Sequence, residues 1–157
     1  MAKAAKKKVA PGDVASNRQA RHRFELLDKL ECGMVLLGTE VKSVRNHHGS
    51  LVGAYVAIVA GELILMNAHI PAWQEKNVLG EFDPYRTRKL LVHKKERAEL
   101  EKALHTKGLT VIPISLYNKG RVIKCEVAIA RGKKQFNKKE SLKVRDLDRE
   151  QRREYLK

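Results

Sequence analysis

The sequence predicts a mainly β fold, an OB-like closed antiparallel barrel of about six strands with two to three packed helices and a flexible basic C-terminal tail. Three observations predict it. Short runs rich in Val, Ile, Leu and Tyr recur between Gly- and Asn-containing turns; only one stretch reads as a long helix; and apolar patterning stops near Gly132. An antiparallel sheet of this size escapes its exposed edges by closing, which favours a small barrel.

Element by element, residues 1–16 are Lys, Ala, Pro, Gly and Ser without periodicity and read as a disordered basic arm. The barrel is expected over 17–132. Phe24 to Glu31 reads as a half-buried strand broken at Gly33, after which Met34 to Leu37 forms a short apolar strand. Thr39 is a candidate N-cap for a short helix from Glu40 to His47, which Gly49 ends. Leu51 to Ala60 and Glu62 to Asn67 follow as strands joined at Ala60-Gly61. Residues 71–87, with Pro71, Gly80 and Asp83-Pro84, read as a surface loop that Trp73 anchors. Lys89 to Val92 is a strand. His93 to Thr106 is the longer helix, with Leu100, Ala103 and Leu104 on one face. Leu109 to Tyr117 and Arg121 to Ala130 close a hairpin around Asn118-Lys119-Gly120. Residues 133–157 form the tail, disordered when free.

Charge points to the class of partner. The 157 residues carry 33 Lys and Arg against 18 Asp and Glu, a net +15. Residues 1–23 hold +6 and residues 131–157 hold another +6, which leaves +3 for the middle of the chain. A near-neutral core with basic ends is suited to phosphate. Cys32 and Cys125 sit in apolar stretches and read as small core residues, and no CxxC occurs. No secretory leader follows Lys3 to Lys8, and no apolar run is long enough to span a bilayer, so a soluble cytoplasmic protein is expected. Enzyme signatures are missing: Val127 stands where a phosphate loop ending at Lys133 needs Gly, no Gly-x-Ser-x-Gly occurs, and the six His show no ligand spacing. The expectation is a non-enzyme with no cofactor and no metal.

Several basic groups remain as candidate RNA contacts. Asn17, Arg18 and Arg21 precede the first predicted strand. Lys42 and Arg45 lie three apart on the short helix, and a solvated helix face is the alternative reading. Arg86 and Arg88 alternate, so they point the same way, with Lys89 beside them. Lys133 and Lys134 open the tail, where Phe136 among cations is a base-stacking candidate.

Most of these residues fall in four blocks: Asn17-Arg-Gln-Ala20, Gly38-Thr-Glu-Val-Lys-Ser-Val-Arg45, Arg86-Thr-Arg-Lys-Leu-Leu-Val-His93 and Gly132-Lys-Lys134. In this order, and over essentially the whole chain, they resemble the SsrA-binding protein (small protein B) family. The resemblance implies an OB-like barrel that binds the tRNA-like domain of transfer-messenger RNA (SsrA). It implies a role in trans-translation, the rescue of stalled ribosomes, with the protein standing in for the missing anticodon arm. The implied partners are that RNA and the ribosomal small subunit with its 16S rRNA, with no membrane and a monomeric, ribosome-associated state. Asn17, Glu31 and Leu91 match the family's RNA-contacting positions. The tail, through Phe136, Asn137, Lys138, Lys139, Lys143, Arg145, Arg149, Arg152 and Arg153, is implied to reach along the vacant message channel. Asn137-Lys138-Lys139 stands where the family usually has Asp-Lys-Arg, and Lys does not reproduce the bidentate geometry of Arg. The competing readings are another basic ribosome-associated OB-fold protein, a DNA-bending architectural protein, and an RNA-modifying enzyme.

Overall fold

The computed structural model describes residues 12–74, 76 and 79–134. In chain order the elements are β1 (Asp13–Ser16), α1 (Arg18–Arg23), β2 (Phe24–Met34), α2 (Gly38–Arg45), β3 (Tyr55–Val59), β4 (Glu62–Met66), β5 (Arg88–Leu91), α3 (Lys94–His105), β6 (Leu109–Lys119) and β7 (Val122–Gly132). Every strand pairing is antiparallel, in the order β1-β6-β3-β4-β5-β2-β7, and β6 pairs with β7 to close the ring. The closed barrel is therefore six strands, as expected, with β1 added outside the ring.

That added strand corrects the N-terminal boundary. Asp13 to Ser16 belong to the composition that reads as disordered, yet they pair with Ser115 to Tyr117. The reason lies in β6. The edge of β6 away from β7 pairs with β3 only at Val56 and Val111. Beyond that point it is open, and β1 fills it while burying Val14 and Ala15. The ladder with β7 shifts register between Pro113 and Ser115, a bulge at which Pro113 has no N–H to give.

The interior is filled by Val56, Leu65, Leu90, Val111, Leu116, Cys125 and Val127, with Val44 from α2 and Leu100 and Ala103 from α3. Cys32 and Cys125 are directly opposite one another, buried and unbonded. Burial pushes the Cys32 thiol up to about 12 and the Cys125 thiol higher still, consistent with two inert core residues. A second, smaller cluster lies outside the barrel wall, where Ala20 of α1 covers Ile112, Ile114, Ala128 and Ala130. That explains why β6 and β7 read as continuous apolar runs rather than alternating ones.

Three local expectations need correction. Gly33 does not break a strand; β2 runs through it, because a Cβ there would lie 3.3 Å from the Leu91 Cβ of the neighbouring strand. Its value is close approach rather than a turn. The short helix begins at Gly38 with Leu37, not Thr39, as its cap, and Glu40 accepts the Leu37 amide at 2.9 Å. Only Tyr55–Val59 of the 51–60 run is strand, since Gly53 turns the chain at a φ of +77°. α1 was not foreseen. α3 and the β6–β7 hairpin lie where the sequence places them, but the turn is Gly120-Arg121, since Asn118 and Lys119 belong to β6 and pair with Ile123 and Val122. Among the described residues, no helix is long and apolar enough to cross a membrane.

Candidate nucleic-acid interface

The four sequence blocks meet in two pairs. The first pair joins the start of α1 to the end of β7. Asn17 caps α1 by accepting the Ala20 amide at 3.2 Å, donates its Nδ2 to the Pro113 carbonyl at 3.2 Å, and gives its backbone N–H to Ile114 at 2.7 Å. It is 7% exposed, so its main work is to fix α1 on the bulge that Pro113 creates. Lys133 donates its backbone N–H to Arg23 and its Nζ to the Arg21 carbonyl, both at 3.0 Å. Arg18, Arg21 and Lys134 are thereby held exposed on one end of the barrel.

The second pair joins α2 to β5 through one carboxylate. Glu40 is fully buried and accepts from Arg86 and from Arg88, the latter at 3.0 Å from Nε and 2.7 Å from Nη2. Arg88 also donates to the carbonyls of Ala68, Ile70, Pro84 and Arg86. Burial pushes the Glu40 carboxyl up, but donors from Arg86, the Leu37 amide and Arg88 outweigh it and hold it below its usual value. The alternation of Arg86 and Arg88 does point them the same way, but inward.

Arg88 is therefore removed from the set of phosphate contacts, because its guanidinium is sealed inside and fully engaged. Arg86 is half-buried on the same carboxylate. What this network holds in place is the outward-facing part of the two blocks: Lys42 and Arg45 on α2, Lys89 and Leu91 on β5. Arg45 reaches the β6–β7 turn, donating to the Arg121 carbonyl at 2.8 Å, and Lys89 pairs with Glu62.

The outer wall of the barrel carries the remaining geometry. Leu91, Gly33, Lys124 and Tyr117 form one continuous cross-strand row over β5, β2, β7 and β6. Glu31 lies two residues from Gly33 on the same face. Its carboxylate accepts from the Tyr117 hydroxyl and from Lys119 Nζ at 2.9 and 3.2 Å, with Lys124 at 3.9 Å. The hydrogen bonds from Tyr117 and Lys119 hold the Glu31 carboxyl below its usual range, so it is ionised at neutral pH. Leu91 is 51% exposed beside it. The two positions that charge reasoning could not select thus share one face.

The two regions are separated along the β2–β7 ribbon. Phe24 pairs with Gly132 at one end and Glu31 with Glu126 seven residues on, about 23 Å away at the rise of a strand. Tyr117, Lys119 and Lys124 were missed from sequence. The hairpin register carries the signal, since a two-residue turn at Gly120-Arg121 sets Lys119 opposite Val122 and Tyr117 opposite Lys124. Phe136, Asn137, Lys138, Lys139, Lys143, Arg145, Arg149, Arg152 and Arg153 lie outside the described residues. Trp73 is half-buried, as expected of an anchor, and stacks on His48 at a centroid distance of 5.5 Å. Among the described residues, no group of three or more His, Cys, Asp or Glu is placed to hold a metal ion.

A closed antiparallel barrel with cations at both ends of one ribbon, an ionised carboxylate fixed between lysines and an exposed leucine beside it defines an OB-like barrel of the polyanion-binding class. The particular family follows from comparison: a family model described as SmpB protein matches residues 14–157, and the chain belongs to that family. It is 45% identical to an SsrA-binding protein of Lactobacillus delbrueckii subsp. bulgaricus over 142 residues, 90% of this chain and 92% of the relative. It is 48% identical to one from Chelativorans sp. over 141 residues, 89% and 90% of the two chains. A solved structure described as "tmRNA-SmpB: a journey to the center of the bacterial ribosome" matches with a TM-score of 0.64 and 41% identity, covering 76% of this chain and 84% of that one.

Proposed function

We propose that this protein binds the tRNA-like domain of transfer-messenger RNA and delivers it to stalled ribosomes in trans-translation, as a cytoplasmic, monomeric, non-enzymatic factor. The observation that carries the reading is the shared outer face of Glu31 and Leu91. A generic phosphate binder has no use for an ionised carboxylate between two lysines or for an exposed leucine, whereas a surface that matches one RNA shape does. Lys89 on that face, Lys42 and Arg45 on α2, and Arg18, Arg21, Lys133 and Lys134 at the other end of the ribbon supply the cations that position the backbone. Arg86 contributes by holding Glu40 and Asn17 by holding α1, with Arg88 as an internal strut. The tail from residue 135 onward is assigned to the ribosomal small subunit and its 16S rRNA, in the vacant message channel. Family membership and the likeness to a tmRNA-SmpB structure support both assignments.

The test is competition at physiological salt among the tRNA-like domain, ordinary tRNA and a DNA duplex of equal length. Clear preference for the tRNA-like domain is expected, and equal binding to all three refutes the reading. Glu31→Arg is expected to weaken that specific binding although it adds positive charge. Tighter specific binding would mean that Glu31 is an ordinary surface carboxylate.

A further inference from the structure

The environment of Glu31 says what kind of RNA group it meets and which residue prepares it. Groups from two other strands converge on this one carboxylate: the Tyr117 hydroxyl and Lys119 Nζ donate to it, and Lys124 Nζ forms an ion pair at 3.9 Å. Tyr117 is opposite Lys124 and Lys124 is opposite Gly33, so the Tyr117 side chain reaches over β7 to find a β2 partner. That reach is a commitment. A tyrosine at this position on an outer face could otherwise point its hydroxyl to water. Burial and the hydrogen bond to Glu31 push the Tyr117 phenol up, so it remains a donor throughout the range in which RNA binds.

The carboxylate is consequently fixed in direction and in charge. It has about four lone-pair sites, of which Tyr117 and Lys119 occupy three, leaving about one. An ionised carboxylate repels phosphate, so its RNA partner must be a hydrogen-bond donor. RNA offers two: the ribose 2′-hydroxyl and the N–H groups of base edges. Leu91, half-exposed on the same row, provides an apolar neighbour for the sugar or base that carries that donor.

We propose that Tyr117 is a positioning residue for RNA recognition, holding Glu31 so that its remaining lone pair accepts a hydrogen bond from an RNA 2′-hydroxyl or base N–H. The inference rests on the reading that Glu31 faces RNA, and the two can fail separately.

The experiment is a double-mutant cycle in the full chain with the tRNA-like domain as ligand. Tyr117→Phe keeps the ring and removes only the hydroxyl, so the fold should be retained, as a thermal melt would show. Its affinity is expected to fall about 2- to 12-fold, the range for the net contribution of one typical hydrogen bond. In a Glu31→Ala background the same change should cost almost nothing further, since both act through one interaction. Carbon-13 NMR titration of the Glu31 carboxyl should show its pKa moving up in Tyr117→Phe, which a merely structural ring would not cause. The salt dependence should be unaltered, because no phosphate contact is lost.

Unchanged affinity in Tyr117→Phe alongside a loss in Glu31→Ala would overturn the positioning role and leave Glu31 standing. Unchanged affinity in Glu31→Ala would overturn the reading of Glu31 itself. Additive losses would mean that Tyr117 touches RNA on its own account. RNA carrying single 2′-deoxy sugars, or an analogue that removes the base N–H at a single position (inosine for guanosine, purine riboside for adenosine, zebularine for cytidine, N3-methyluridine for uridine), distinguishes the two donors: one substitution should erase the difference in affinity between the parent and the Glu31→Ala variant. If no substitution of either kind does so, the donor assignment is wrong.

Discussion

Replacing Glu40 by Gln should be among the most damaging single changes available in this protein, although it alters no exposed group. Glu40 accepts five donors: two from Arg86, two from Arg88 and the Leu37 amide. Gln offers one acceptor oxygen and turns an N–H₂ toward a guanidinium. The Arg88 side chain is 0% exposed, so water cannot take over its lost charge partner. Breaking a buried pair in this way costs about 3–5 kcal/mol, against a total stability of about 5–15 kcal/mol for a domain. At about 3–5 °C per kcal/mol for this size, the melting midpoint should fall by about 10–20 °C. Thermal and urea denaturation followed by circular dichroism measure it, and the urea slope should not change. A loss below about 1 kcal/mol would refute the argument that this carboxylate clamps α2 to β5. The double variant Glu40→Leu with Arg88→Met should recover much of the loss, because it removes both charges together. Arg88→Lys protein, assayed well below its own midpoint, should bind RNA as tightly as the parent. A large affinity loss there would return Arg88 to the interface.

Three further outcomes are expected. The logarithm of RNA affinity should fall linearly with the logarithm of salt, and Lys42→Ala should reduce the slope by about 0.7–0.9; a flat response would refute phosphate contact. Leu91→Ala should weaken RNA binding while changing stability by less than about 1 kcal/mol, since the side chain is half outside; a stability loss of the size of the affinity loss would make Leu91 a core residue. Glu40 is held below its ordinary carboxyl value of 4.5, so its contribution is present above about pH 4.5 and is lost as pH falls through the folded value. Stability measured between pH 6 and 3 should therefore decline on the acid side, and Glu40→Gln should flatten that decline.

Much of the fold was legible because its strands carry the pattern that marks them. The β6–β7 hairpin, α3 and the closed ring of six follow from turn residues and apolar runs. β1 was not legible, because nothing in Asp-Val-Ala-Ser announces a strand; it exists because β3 pairs with β6 only at Val111 and leaves the rest of that edge open. α1 was hidden by its composition, four of its six residues being basic, since what makes it a helix is a cap at Asn17 and one buried contact at Ala20. Gly33 was misread because glycine signals both a turn and a close approach, and only the position of Leu91 decides between them.

The candidate site divides along the same physical line. Charge and spacing located the exposed cations Lys42, Arg45 and Lys89, but assigned Arg88 to the surface because a sequence shows where a cation lies and not where its carboxylate is. The pairing of Glu40 with Arg88 spans 48 residues, and no local pattern reports it. The consequence reaches beyond one assignment. The blocks Gly38 to Arg45 and Arg86 to His93 share an internal joint, so their residue types answer as much to that joint as to RNA. Within each block, the residues free to differ in function are the outward ones. A variant that alters Lys42, Arg45, Lys89 or Leu91 tests recognition, whereas one that alters Glu40, Arg86 or Arg88 first tests whether the surface is presented at all.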